Sequence, residues 1–307
     1  MSKGLAGFFG TLALLAALRV AMAFLLVPEA ARLPISLLIT VVFVALPVFA
    51  LFRASSHHWD WRLAIGFVAS GLLLQFVLPL APPGGKGILP ILLDAVAQQG
   101  LPIWTVGLGA LLALLLKDKN LLLPVSIFLA LFDIFLVFTP VGFVQVLMRQ
   151  APNLLPAMAH KIPEVATEPA ATGVPVGTFA HVGPADFLFM GMFFIALYRF
   201  RMRTRQTLIW LMVALAVYIP LAFILGPVPL MVPIGLTVIL VNLPEFKMTT
   251  EEKASTLIVT ALGVAIVAYA ATRPRPVEPA ETSPTEPVQA PRGLAGSPAP
   301  ASPGPRR

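Results

Sequence analysis

Along the chain, apolar residues fall in long unbroken blocks, not in the alternation of strands or the one-sided stripe of a surface helix. The blocks cover roughly 5–27, 34–52, 63–81, 101–116, 121–147, 184–198, 207–225, 228–243 and 255–270. Several approach the ~20 residues that cross a hydrocarbon core. The pattern predicts an all-α polytopic membrane bundle of about nine transmembrane helices over residues 1–272. The first block exceeds the apolar core of a cleaved signal peptide and reads as a retained helix. Segment 86–99 is too short and too polar to span, which makes it a re-entrant or interfacial piece.

Composition sharpens this picture. The chain is 58% hydrophobic and 11% charged, with a mean hydropathy of +0.90, where a soluble domain carries about a quarter charged residues. Cysteine is absent, which excludes disulfides, thiolate metal sites and a cysteine nucleophile. The net charge of +7 sits at the ends of apolar spans, so it points to lipid contact and topology rather than to nucleic acid. Lys3, Arg53, Arg62, Lys117, Lys119, the cluster Arg199, Arg201, Arg203 and Arg205, and Lys247 and Lys253 fall in alternate turns. The other turns hold fewer cations: Arg32, Lys86, Arg149 and Lys161. This asymmetry predicts a multi-pass protein of the cell membrane with a cytoplasmic N-terminus. Loop 149–182 would be extracytoplasmic and without a packed core. The tail 273–307, with ten prolines in 35 residues, reads as disordered. It is a linker, or else a ligand for a proline-reading partner.

Charges inside a bilayer are costly and call for an explanation. Arg19 in the first span is expected to snorkel or to pair with a neighbouring helix. The run His57, His58, Trp59, Asp60, Trp61 reads as an interfacial aromatic belt, since its geometry does not suit a metal. His181 is read as a loop histidine, close enough in sequence to Asp186 to tune it. No cofactor or metal is implied, and Lys86 lacks phosphate-loop spacing. Asp94 lies in the short segment and reads as interfacial. Asp133 stands within LFDIFLVF and Asp186 within HVGPADFLF, on consecutive helices expected to be antiparallel neighbours. Asp133 falls well before the outer end of a 121–147 helix, and Asp186 close to the outer end of its own. The two share a depth only if the first helix leaves the membrane or the Gly183 segment enters a cavity.

Two carboxyls that meet in a medium of low dielectric share one proton. The ionised group can then take a proton from water while the other donates to a peptide carbonyl, without any serine, cysteine or metal. A third element is GPVPLMVPIG, where Pro227, Pro229 and Pro233 interrupt the helix start and leave room for an extended peptide; a plain proline-capped helix is the simpler reading. The residues alone also fit a proton- or cation-coupled transporter with the aspartates as relay sites, or a membrane scaffold with a recruiting tail.

These three motifs together resemble the presenilin and signal-peptide-peptidase family of intramembrane aspartic proteases. LFDIFLVF is similar to its first catalytic motif, HVGPADFLF to its Gly-x-Gly-Asp motif and GPVPLMVPIG to its Pro-Ala-Leu region. The order fits, as do the spacings of 53 residues between the aspartates and 43 on to Pro229. The resemblance covers about 120–245 and implies a presenilin-like bundle. Asp133 and Asp186 would be the catalytic pair, and Gly183 and Ala185 small residues permitting close helix approach. Pro229, Leu230 and Met231 would stand at the Pro-Ala-Leu position, with a register from Pro227 as the alternative. Transmembrane proteins or peptides would be the substrates. Ala185 and Pro184 depart from the family pattern, and a span follows the proline segment where family members end.

Overall fold

The computed structural model describes residues 2–80, 88–139, 158–166, 178–225 and 228–272. The tail 273–307 therefore lies outside the described residues. The described residues are almost entirely helical: α1 (Lys3–Met22), α2 (Glu29–Ser55), α3 (Trp61–Leu72), α4 (Ile88–Ala97), α5 (Gly100–Leu115), α6 (Leu122–Phe138), α7 (Pro184–Arg199), α8 (Thr204–Leu225), α9 (Met231–Asn242) and α10 (Thr250–Ala271). One antiparallel hairpin, β1 (His160–Pro163) with β2 (Thr178–Val182), precedes α7.

Helix starts follow local chemistry. Ser2 accepts from the Leu5 amide, Asp60 from Leu63, and Thr249 with Glu252 forms a reciprocal cap on α10. Among the described residues, six segments are long and apolar enough to cross a membrane: Lys3–Met22, Glu29–Ser55, Ile88–Leu115, Lys119–Phe138, Thr204–Ala222 and Thr250–Ala271. Trp61–Val77 and Met231–Glu245 are apolar but shorter, and α7 has 16 residues. The outward surface is itself apolar. On α10, Leu257, Ile258, Leu262 and Tyr269 are each at least 60% exposed, which suits a lipid surround and not water.

The ends of the bundle separate cleanly. At one end, Ser2 Oγ meets His57 Nδ1 at 2.8 Å, Arg199 donates to the Ala113 and Leu116 carbonyls, and Asn120 donates to Lys247 O. At the other, Arg32 pairs with Glu164, Gln75 donates to Met158 O and Gln98 accepts from the Lys161 amide. Among the described residues, Arg199 and Lys247 thus sit at one end and Arg32 and Lys161 at the other. Short α4 belongs to the second end. A turn at Gln98–Gln99 separates it from α5, and Asp94 there faces Arg19.

Several expectations need correction. α6 ends at Phe138 and not near 147, because Thr139 precedes Pro140 and is driven to an extended conformation (ψ 143°). Residues 140–147 lie outside the described residues. The hairpin gives loop 149–182 a packed part: Ile162, Val165 and Val182 are buried in the main apolar cluster. Of the two expectations for Arg19, pairing with a neighbouring helix holds and snorkelling does not: it is buried, faces Asp94 of α4 at 3.9 Å and also donates to the Lys161 carbonyl of β1. Of the supposed aromatic belt, His58, Asp60 and Trp61 are exposed, but His57 is half-buried. Trp59 is buried against Phe67 and its Nε1 donates to Ala54 O.

The helices carrying the two aspartates are packed by different neighbours. α6 packs on α9 and α10, α7 packs on α5 and α2, and α9 touches both. Two glycines permit these approaches. A Cβ at Gly109 would stand 2.6 Å from Leu188 O on α7, and one at Gly235 would stand 2.9 Å from Ser126 O on α6. Asn242 fixes α9 to α8, donating to Thr207 Oγ1 and Val238 O while accepting from the Arg203 amide.

Candidate active site

Shortening α6 removes the depth mismatch between the aspartates. Asp133 now lies five residues from the end of α6, about 7.5 Å along its axis. Asp186 occupies the first turn of α7. Both helix ends lie toward the hairpin end of the bundle.

Asp133 is positioned by the start of α9. The first amides of a helix have no intrahelical acceptor, and here each can be traced. The Met231 N–H donates to Asp133 Oδ2 at 2.8 Å, Val232 donates to Pro229 O at 3.3 Å, and Pro233 has no N–H. Ile234 is the first to bond within the helix, to Leu230 O. The proline-rich entry thus leaves one orphan donor, and a carboxylate from α6 satisfies it. The helix dipole favours an anion at this place.

Asp186 is positioned by its own helix. Gly183 is the N-cap, Pro184 opens the helix, and the Gly183 amide donates to Asp186 Oδ2 at 3.1 Å. Gly183 and Ala185 do not mediate close helix packing as expected. A Cβ at Gly183 would meet only the Asp186 carboxylate, at 3.3 Å, and Ala185 is exposed. The close approach of α7 is made at Gly109 of α5 instead.

Asp186 lines a cavity of about 490 Å³ between β2, α2, α8 and the proline segment. Tyr218, Val228, Leu230, His181 and Thr40 line it too. Tyr218 Oη donates to Pro229 O at 3.0 Å, tying α8 to the proline segment. Pro229 and Met231 are buried, and Leu230 faces the cavity between them. Asp133 does not line the cavity directly. It touches the wall through Met231, next to Leu230. All three sequence elements therefore converge. Asp94 does not join them, being held at Arg19 with its side chain 55% exposed.

The sequence reading missed Tyr218, although a tyrosine, one of three in the chain, within an apolar helix is a detectable signal. It also missed the hairpin. His181 lies on β2 and lines the cavity, where partial burial and Lys161 hold it below the usual histidine range. Among the described residues, no group of three or more His, Cys, Asp or Glu side chains is placed to hold a metal ion.

Comparison of the chain with protein-family models, with curated proteins and with solved structures returns no match in any of the three.

Proposed function

We propose that this protein is an intramembrane aspartic protease of the presenilin and signal-peptide-peptidase type, with Asp133 and Asp186 as its catalytic pair. One observation carries the reading: Asp133 is hydrogen-bonded to Met231, the first residue of the helix that follows the proline segment, and the adjoining Leu230 lines the cavity that Asp186 also lines. Two aspartates from separate helices meeting a helix interruption are what peptide hydrolysis by water requires. One carboxylate removes a proton from the attacking water, the other carboxyl protonates the peptide oxygen, and the proton returns to the departing amine.

In this reading α1, α2, α3 and α5 to α10 make nine crossings, and α4 stays at the hairpin end. The end with the arginine cluster is cytoplasmic by its excess of basic residues. The substrates are transmembrane segments of other proteins, entering from lipid.

The test is cleavage of a transmembrane peptide by the purified chain in liposomes. Hydrolysis abolished by Asp133→Ala and by Asp186→Ala is the expected result. Undiminished cleavage in either variant removes the proposal. Proton-driven solute flux without hydrolysis would instead favour a coupled transporter using the same aspartates.

A further inference from the structure

A second cavity, of about 1060 Å³, opens at the arginine end of the bundle, far from the aspartates. Its wall is apolar, from Phe52, Trp59, Leu114 and Ile195, and its rim is cationic. Two of the rim arginines are committed. Arg199 donates to the Ala113 and Leu116 carbonyls at 2.8 and 3.0 Å, and Arg203 pairs with Glu245 at 3.2 Å. Arg201 and Arg205 are exposed and have no acidic partner among the described residues.

Arg201 is also strained. It ends α7 with a φ of 54°, in the left-handed region, while the Met202 amide closes the turn on Leu197 O at 2.9 Å. Glycine is the usual residue at such a helix end, because any side chain there costs energy. An arginine at this position aims a permanent cation at the cavity rim at the expense of stability. The first turn of α8 lies alongside. The amides of Arg205 and Gln206 find no backbone or side-chain acceptor among the described residues, and they point the positive end of the helix dipole the same way. Trp61, 60% exposed with Arg62 stacked 5.3 Å from its ring centre, marks this end as a membrane interface.

We propose that this cavity binds the phosphate headgroup of an anionic phospholipid. Arg201, Arg205 and the opening amides of α8 hold the phosphate, and the apolar wall receives the glycerol and upper acyl chains. A free phosphate would satisfy the cations but leave the apolar wall unused. Basic pockets between helices at a membrane face take anionic lipids for this reason. The site is independent of the aspartates, so its failure and that of the protease reading are separately visible.

The full chain is reconstituted in nanodiscs of phosphatidylcholine, with and without added phosphatidylglycerol or cardiolipin. Retained lipid is counted by native mass spectrometry, and unfolding temperature is followed alongside. The wild type should retain anionic lipid and unfold at a higher temperature with it. The double variant Arg201→Gly, Arg205→Gln should bind about tenfold more weakly or worse. In phosphatidylcholine alone its unfolding temperature should match or exceed the wild type, because glycine relieves the turn. Equal anionic-lipid retention by wild type and variant overturns the proposal. Stabilisation of the wild type by inorganic phosphate alone, to the same degree as by lipid, overturns the lipid assignment in favour of a soluble phosphate.

Discussion

Replacing Asp133 by Asn and by Leu separates what this residue does for the fold from what it does for chemistry. Asparagine keeps an oxygen for the Met231 amide, which now bonds Oδ2 at 2.8 Å. Leucine has a similar volume but strands that amide at the half-buried start of α9. An unmet buried donor costs roughly 1–3 kcal/mol, whereas exchanging a charged acceptor for a neutral one costs about 1 kcal/mol. At about 2–4 °C per kcal/mol, Asp133→Leu should lower the unfolding temperature by several degrees, and Asp133→Asn by at most about 4 °C. Cleavage behaves differently. Asparagine can neither take a proton from water nor return one, so both variants should lose about 10²–10⁴-fold in rate. Thermal unfolding in nanodiscs and single-turnover cleavage of a transmembrane peptide read the two effects separately. Appreciable cleavage by Asp133→Asn would refute the dyad. An asparagine variant as unstable as the leucine one would refute the helix-capping account.

Further expectations concern how the site is held. Gly235→Val would drive a side chain against Ser126 O, 2.9 Å from the position of a Cβ. It should cost about 1–3 kcal/mol and lower the cleavage rate by moving Met231 off Asp133, which parallel unfolding and cleavage measurements detect. Arg19→Met removes the donor to Lys161 O and the partner of Asp94. The β1 and β2 amides should then exchange hydrogen faster by mass spectrometry while the helices keep their protection. His160 is fully buried, its ring nitrogens have no hydrogen-bond partner among the described residues, and burial, followed by the charge of Arg19, lowers its pKa to about 3. The unfolded chain takes up a proton near pH 6.5 that the folded one refuses. Stability contributed by the neutral ring is therefore complete above about pH 6.5 and falls toward pH 3, by up to ~1.4 kcal/mol per unit. His160→Phe should flatten this acid slope in unfolding scans from about pH 7 to 4.

The helices were legible because a lipid-embedded helix needs no polar stripe and shows as a plain apolar block. Helix ends were less so. Pro140 carried the information that ends α6, but an apolar run continues past it, and hydropathy outweighed the backbone rule. The hairpin was hidden for a different reason. Its strands are four and five residues long and separated by a Pro-, Ala- and Thr-rich stretch. What orders it is tertiary: Arg19 from α1, Gln98 beyond α4 and the core around Ile162. None of these is local to the strands.

The aspartates stood out because a carboxylate inside an apolar block is rare enough to need a reason. What sequence could not supply was the partner. The prolines at 227, 229 and 233 announce an interrupted helix, and an interrupted helix always leaves orphan amides. Which group meets them depends on how α6 lies against α9, and that depends on a glycine in a block otherwise indistinguishable from its neighbours. A capping role alone would account for Asp133 at Met231, just as the Gly183 cap alone would account for Asp186. The proposed protease reading accounts for both at once, because Asp133 bonds Met231 while Asp186 lines the same cavity as the adjoining Leu230.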